Sequence, residues 1–172
     1  MRLRLSRCTI RLWAETDAES LHRHANNRNV SRHLRDRVPF PYELAHAKTF
    51  LDWLTTEAEP TVWAIEVDGE AAGAIGIERR GDVERVSAEI GYWLGEACWG
   101  RGIATEALTA VTAEVFTRFE LTRLYAVPFA DHPASIRVLE KAGYVREGHL
   151  RQSAIKDGAI RDQLLFAFYK PL

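Results

Sequence analysis

The sequence lacks any strong imbalance of charge and any long apolar run. Its 172 residues include 23 basic and 24 acidic side chains, which gives a formal net charge of -1. Proteins that bind nucleic acid non-specifically need a basic surface, so this balance argues against a nucleic-acid partner. No apolar stretch approaches the roughly 18 residues of a membrane-spanning helix, and no apolar signal-peptide core follows Met1. We therefore expect a cytoplasmic protein with no membrane partner.

Cysteine is scarce, and the sequence shows no metal-binding pattern. Cys8 and Cys98 are far apart and form no CxxC pair, so we expect two thiols in a reducing cytosol. His22 and His24 form an HxH pair on a predicted helix. Because no third ligand accompanies them, we expect no metal site.

The composition is that of a globular domain. Hydrophobic residues make up 47% of the chain and charged residues 27%, which is enough to build and cover one core. The sequence has no internal repeat, low-complexity segment or linker. We expect one domain over residues 1–172.

Hydrophobic periodicity and turn signals predict the order β α α α β β β α β α β β. A Thr16–Glu19 capping box marks the first helix, and Asp68-Gly69 marks a hairpin. Helices are predicted at residues 16–27, 30–35, 43–57, 102–119 and 133–142, and strands at 9–13, 61–67, 71–78, 86–94, 121–127, 144–152 and 161–169. This order indicates an α+β layered fold. Its mixed, mostly antiparallel sheet of six to seven strands has helices on both faces, and one β-α-β crossover makes two strands parallel neighbours.

The segment WGRGIATEA, residues 99–107, joins a strand to a long helix through a glycine-containing loop. Unpaired N–H groups and the dipole at a helix start favour an anion. Gly100 and Gly102 would allow close approach of the backbone, and Ala104 keeps the wall small. Arg101 adds positive charge, and Thr105 offers a hydroxyl. By itself, the loop is a weak signal, and a structural turn that caps a helix is the simpler interpretation.

Three sequence blocks, which occur in this order along the chain, favour the anion site over the structural turn: EIGYWL (89–94), WGRGIATEA (99–107) and DHPASIRVLEKAGY (131–144). Together they resemble the signature blocks of the GNAT N-acetyltransferases, and more narrowly the Rim-type branch of ribosomal-protein N-terminal acetyltransferases. The element order agrees with that family from residue 9 to residue 169. The resemblance implies acetyl-CoA as co-substrate, no metal, and a GNAT fold in which the strands at 86–94 and 121–127 splay apart.

The resemblance also implies a set of coenzyme-binding residues. The pantetheine arm would pair with the backbone of Tyr92, Trp93 and Leu94. The pyrophosphate would lie on the N–H groups of Gly100, Arg101, Gly102, Ile103, Ala104 and Thr105. His132 stands where the family usually has Asn. It would contact the coenzyme, or else serve as a helix-capping or exposed histidine.

The catalytic candidates come from the same resemblance and from the chemistry of the reaction. Leu139 occupies the place of a tyrosine that protonates the leaving thiolate in many relatives, so Ser135 becomes the candidate proton donor; the alternative is a helix-start hydroxyl. Glu89, on the strand lining the implied gap, is the candidate base; the alternative is an exposed or salt-bridged carboxylate. Asp162 is the candidate acceptor contact, or else stabilises a turn.

The expected reaction is acetyl transfer from acetyl-CoA to a primary amine. An α-amine has a pKa of about 7.7–8.0 and a lysine about 10.4, so an α-amine is partly neutral without help. We expect a protein N-terminus as acceptor. The alternatives are a small-molecule amine, such as an antibiotic or a polyamine, and a non-catalytic acyl-CoA sensor. The resemblance also allows a homodimer.

Overall fold

The structure, a computed structural model, describes residues 1–170. The strands are β1 (Leu3–Arg4), β2 (Thr9–Arg11), β3 (Val62–Val67), β4 (Glu70–Arg79), β5 (Ser87–Leu94), β6 (Arg123–Ala126), β7 (Val145–Lys156) and β8 (Ala159–Tyr169). The helices are α1 (Ala18–Ala25), α2 (Arg28–Ser31), α3 (Leu44–Thr56), α4 (Ile103–Arg118) and α5 (Pro133–Lys141). No helix in this part of the chain has both the length and the apolar character to cross a bilayer.

The strands form one mixed sheet in the order β1-β2-β3-β4-β5-β6-β8-β7. The pair β5–β6 is parallel, whereas β2–β3, β3–β4, β6–β8 and β7–β8 are antiparallel. The predicted β-α-β crossover is therefore confirmed. The sheet has eight strands rather than six to seven, because the two-residue strand β1 pairs with β2 and is too short to give a pattern in the sequence.

The register of β5 and β6 matters for the predicted splayed pair. Their pairs run from Ser87↔Arg123 to Glu89↔Tyr125. Beyond Glu89, β5 continues to Leu94. The pairing with β6 therefore stops before the end of β5, which agrees with the splayed pair that the sequence resemblance implies.

The chain packs into two compact units, each made of two segments. The first unit comprises Met1–Gly76 and Tyr92–Ala107. The second comprises Ile77–Gly91 and the residues from Leu108 onward.

In the first unit, α1 and α3 pack together around small and aliphatic side chains. Ala47 and Leu51 of α3 are buried, and Phe50 packs against them, as the helical periodicity predicted. Trp63 of β3 is fully buried. Trp13 is half-buried and meets the Phe50 ring edge-on, with centroids 5.6 Å apart.

The start of α1 differs from the prediction. No side-chain cap of the Thr16–Glu19 kind is formed; a 3-10 turn at Glu15–Asp17 precedes the helix. Asp17 Oδ2 accepts from the Ala14 N–H at 2.8 Å. The reason is that Arg11 binds the Asp17 carboxylate with two hydrogen bonds, of 2.7 and 2.8 Å, and draws this residue into the turn.

In the second unit, Phe116 of α4 packs against Phe168 of β8, with ring centroids 6.0 Å apart. Leu108, Val111 and Leu124 are fully buried, as is Leu139 of α5. Gly143 follows α5 with φ of +85°, as the predicted helix end requires.

Candidate active site

The loop between β5 and α4 is fixed at its first residue. The Gly95 N–H donates to the Ala72 carbonyl at 2.7 Å, and a β-carbon on Gly95 would lie 2.3 Å from His24 Nδ1. Only glycine fits there. The Trp99 indole N–H donates to the Leu94 carbonyl at 2.7 Å, so Trp99 holds the end of β5.

Both glycines of the WGRG segment adopt a conformation that favours glycine. Gly100 has φ of +73° and Gly102 of +74°. A β-carbon on Gly100 would meet no atom within 4 Å, and the three atoms nearest to one on Gly102 belong to the Arg7 side chain, at 3.5 Å or more. The backbone here is therefore open to a bound group, as a phosphate site requires.

Helix α4 begins immediately after this segment. Ile103 is buried and anchors the first turn, while Ala104 and Thr105 are partly exposed. The first N–H groups of a helix have no partner within it, so the predicted residues from Gly100 to Thr105 form a compact cradle with anion-binding character. These residues fit the coenzyme pyrophosphate.

Three carboxylates around this loop, those of Glu96, Asp68 and Glu106, accept hydrogen bonds or form ion pairs. The sequence indicated none of these contacts. Glu96 accepts from the side-chain amides of Asn27, at 2.6 Å, and Asn29, at 2.8 Å. Arg101 Nη2 lies 3.4 Å from Asp68 Oδ2.

The third of these groups is Glu106, in the first turn of α4. Its Oε2 accepts from the Arg7 backbone N–H at 2.9 Å, and its Oε1 accepts from the Ser6 backbone N–H at 3.1 Å. Partial burial by itself would raise the pKa of Glu106. The hydrogen bonds from Ser6 and Arg7 outweigh that effect and lower the pKa below its ordinary value.

Both cysteines lie in the first unit, and neither is in a disulfide. Burial raises the pKa of Cys8 to about 11, with a further contribution from Glu106. Burial also raises the pKa of Cys98. Because the thiolate is the nucleophilic form, burial disfavours the reactive form of both side chains.

Glu89 lies on β5, and its carboxylate is engaged. Arg80 Nη2 donates to Glu89 Oε2 at 3.0 Å, and Arg80 Nε donates to the Tyr125 hydroxyl at 2.5 Å. The Glu89 side chain is 20% exposed. The salt-bridged carboxylate that the sequence left open is therefore present, and any role as a base has to operate beside Arg80.

Helix α5 places His132 and Ser135 at its start. His132 occupies the N-cap position, but its side chain makes no capping hydrogen bond. Ser135 lies in the first turn and is partly exposed. Leu139 is fully buried, so it belongs to the core and its side chain is closed to solvent.

Asp162 of β8 stabilises the closing hairpin. Its Oδ1 accepts from the Gln152 N–H at 2.9 Å, and its Oδ2 is 2.6 Å from His149 Nε2. Gln152 has φ of +51° within a bulge of β7. The backbone hydrogen bond from Gln152, followed by that from His149, lowers the pKa of Asp162.

No cluster of three or more His, Cys, Asp or Glu side chains that could hold a metal ion occurs within residues 1–170.

The chain is similar to known acetyltransferases. It matches the acetyltransferase (GNAT) domain family over residues 7–145. The uncharacterized N-acetyltransferase YoaA of Bacillus subtilis (strain 168) is 31% identical over 173 residues, covering 98% of this chain and 97% of the relative. The ribosomal-protein-serine acetyltransferase of Escherichia coli (strain K12) is 34% identical over 100 residues, covering 58% of this chain and 55% of the relative.

A solved structure extends this likeness to the fold. The structure of Mycobacterium smegmatis RimJ in complex with CoA-disulfide has 29% identity and a TM-score of 0.82, covering 94% of this chain and 81% of that chain. The family match takes in the glycine loop, the start of α4 and the whole of α5. The chain belongs to the GNAT acetyltransferase family and is an acetyl-CoA-dependent N-acetyltransferase.

Proposed function

We propose that this enzyme acetylates a protein N-terminal α-amine. The observation that carries this proposal is the 34% identity to the ribosomal-protein-serine acetyltransferase of Escherichia coli (strain K12). The likeness to Mycobacterium smegmatis RimJ supports the same branch of the family. The acceptor is then a flexible protein end presented in the cytoplasm.

The coenzyme phosphates are assigned to the glycine loop. In this proposal the N–H groups from Gly100 to Thr105 hold the pyrophosphate, and Arg101 contributes charge. The backbone of Tyr92, Trp93 and Leu94 pairs with the pantetheine arm, in the manner of strand addition. His132, which stands at the N-cap of α5, contacts the arm.

Acetyl-CoA supplies a thioester, and the chain's own groups manage the protons and the developing charge. Glu89 accepts a proton from the attacking amine, directly or through water, as the nitrogen–carbon bond forms. A backbone N–H near Tyr92 or Trp93 donates to the carbonyl oxygen. As the carbon–sulfur bond breaks, the Ser135 hydroxyl passes a proton to the leaving thiolate and takes up another from water, and Glu89 releases its proton to water.

An α-amine needs less help from a base than a lysine side chain does. Its pKa is about 7.7–8.0 against about 10.4 for lysine, so more of it is neutral near neutral pH. Glu89 already accepts a hydrogen bond from Arg80 at 3.0 Å, so the base has to act from within that pair.

Asp162 takes part through the hairpin it stabilises. Both carboxylate oxygens are used, by Gln152 and by His149. We assign Asp162 to acceptor binding by way of the β7 bulge that it holds in place.

The experiment is a thiol-release assay with acetyl-CoA and a panel of amines. The panel contains peptides with free N-termini and no lysine, the same peptides with blocked N-termini and one lysine, polyamines, and amine-bearing antibiotics. We expect thiol release with the free N-termini and much less with the lysine-only peptides. Mass spectrometry of the products then locates the acetyl group.

Other outcomes would contradict the proposal. Release that depends on polyamines or antibiotics alone would assign a small-molecule acceptor. Tight binding of acetyl-CoA with no amine-dependent release would indicate a sensor.

A further inference from the structure

The segment between β1 and β2 lies against the first turn of helix α4. Glu106 accepts hydrogen bonds from the backbone N–H groups of both Ser6 and Arg7, and also from the Ser6 hydroxyl. These contacts join parts of the chain that are 100 and 99 positions apart. They fix where the Arg7 backbone lies relative to the glycine loop.

The Arg7 side chain extends over Gly102. Its Nε, Cδ and Cζ atoms lie 3.5, 3.7 and 3.9 Å from the position that a β-carbon on Gly102 would occupy. The side chain is 56% exposed, and Nη1 lies 3.6 Å from Glu106 Oε1. Nη1 also donates to the Ser6 hydroxyl at 3.4 Å. Nε and Nη2 have no hydrogen-bond partner among residues 1–170, so a group bound at the loop can use both.

The charges around the loop favour the Arg7 guanidinium as a partner for the phosphates of the coenzyme. Coenzyme A carries a pyrophosphate and a 3′-phosphate, and a guanidinium binds such groups with two parallel hydrogen bonds. The other guanidinium of the loop, Arg101, lies 3.4 Å from Asp68. The Glu106 carboxylate would repel phosphate by itself, but it is turned to the Ser6 and Arg7 donors.

We propose that Arg7 is a binding residue for the phosphate groups of coenzyme A and that Glu106 is its positioning residue. The inference rests on the assignment of the coenzyme to the loop at Gly100 and Gly102. Glu106 holds the backbone of residue 7, and the side chain of Arg7 reaches the phosphates. A free inorganic phosphate has the same chemistry but lacks the rest of the coenzyme, so coenzyme A binds far more tightly.

The test compares Arg7→Gln with Arg4→Gln. Arg4 lies on β1, is exposed and changes the net charge equally. The Arg7 backbone N–H that Glu106 holds is kept in both variants, so both should fold. Isothermal titration with coenzyme A should give a dissociation constant about tenfold higher for Arg7→Gln, since a lost charge-assisted hydrogen bond of this kind is worth about that factor. Arg4→Gln should change it less than about twofold.

Titration with dephospho-coenzyme A, which lacks the 3′-phosphate, identifies which phosphate group Arg7 binds. An equal loss with both ligands supports a pyrophosphate contact, and a loss with coenzyme A alone supports a 3′-phosphate contact. Wild-type affinity for coenzyme A in a folded Arg7→Gln variant would overturn the inference while leaving the coenzyme assignment intact. A wild-type protein that binds no coenzyme A would overturn both.

Glu106 is tested by a double-mutant cycle with the same titration. Glu106→Gln alone should raise the dissociation constant about threefold, on the order expected for a displaced charge contact. In the Arg7→Gln background it should have almost no further effect, because the side chain that it positions is absent. Equal losses in both backgrounds would show that Glu106 acts on the loop independently of Arg7. Arg7→Lys, which keeps the charge, should restore part of the affinity.

Discussion

At the scale of single residues, Gly102 combines two requirements. Its φ of +74° disfavours any side chain, and its α-carbon borders the proposed phosphate position. We expect Gly102→Val to raise the dissociation constant for coenzyme A about tenfold or more. The valine side chain blocks close approach and distorts the loop, because a β-branched residue at positive φ is a genuine outlier.

The matched control for Gly102→Val is Gly158→Val. Gly158 has a similar φ, of +77°, in the β7–β8 turn, and a β-carbon there meets nothing within 4 Å. Each variant should lose a similar amount of stability, about 1–2 kcal/mol for the strained backbone. Only Gly102→Val should lose coenzyme affinity. Unchanged affinity in folded Gly102→Val would remove the loop from the coenzyme site.

Glu89 gives a prediction about rate rather than affinity. Glu89→Gln should lower kcat about tenfold or more with little change in coenzyme binding. The effect should be largest below neutral pH, where more of the acceptor amine is protonated and needs a base. The measurement is a pH–rate profile with a free N-terminal peptide.

Glu78→Gln is the control for this experiment. Glu78 Oε1 lies 3.5 Å from Arg80 Nη1, so the control also removes a carboxylate beside Arg80. It should keep the wild-type profile. A Glu89→Gln variant with an unaltered profile would exclude Glu89 as the base.

The conformation of the loop at Gly100 and Gly102 could be predicted from the sequence because its signal is local. The two glycines, separated only by Arg101, come directly before a predicted helix, and both have positive φ in the structure. Their role in binding the coenzyme stays a prediction. Arg7 gave no signal, since its contact with Glu106 joins residues 99 positions apart. The ion pair of Glu89 with Arg80 could be anticipated only as a general alternative. Sequence periodicity places a strand carboxylate on a face but does not identify its partner.

At the scale of elements, a turn that two adjacent residues determine was predicted, whereas a helix start that depends on a contact outside its own motif was not. The Asp68-Gly69 hairpin formed as predicted, with φ of +52° and +86°, because two adjacent residues determine it. The capping box at Thr16 was wrong, because Asp17 accepts from the Ala14 N–H instead, while Arg11 of β2 binds its carboxylate. This ion pair reaches outside the helix, to a residue six positions earlier, and the capping motif contains no information about it.

The Arg11–Asp17 pair predicts the stability of this helix–strand junction. The Asp17 side chain is 8% exposed, and Arg11 also binds Glu66. Asp17→Ala should lower the free energy of unfolding by about 3 kcal/mol, the lower end of the range for a broken buried pair. Glu66 still partners the guanidinium, which keeps the loss from being larger. Urea unfolding measures the change.

Asp52→Ala is the control for the junction. Asp52 is an exposed residue of α3, so its replacement should change the free energy of unfolding by no more than about 0.5 kcal/mol. If Asp17→Ala lowered the free energy of unfolding by less than about 1 kcal/mol, the Arg11–Asp17 pair would contribute no more than a surface ion pair does, despite its burial.

At the scale of the whole molecule, the boundaries between the two compact units lie inside regular elements of secondary structure. Their boundaries fall within β4, β5 and α4. Because continuous strands and a helix cross these boundaries, no change of composition marks them, and the sequence could not indicate two units. The single domain over residues 1–172 stays a prediction.

The stability of the whole molecule should fall in two steps as the pH is lowered. Burial lowers the pKa of His24, Arg23 lowers it further, and Glu70 opposes both. The unfolded chain therefore binds a proton at His24 below about pH 6.5, before the folded chain does, and the free energy of unfolding decreases from there. The second step occurs below about pH 4.5. There Glu106, Glu147 and Asp162, whose pKa values are lowered in the folded protein, lose the interactions of their charged forms.

The first step can be assigned by measuring urea unfolding between pH 8 and pH 5 in the wild type and in His24→Gln. The His24 ring packs against Gly95, so the variant will be less stable at every pH, and the slope is the quantity to compare. The slope between pH 7 and pH 5 should decrease in the variant, because the group that binds the extra proton in the unfolded state is gone. The second step should remain, because the three carboxylates are unchanged. An identical slope in both proteins would show that the burial of His24 has no part in the response to acid.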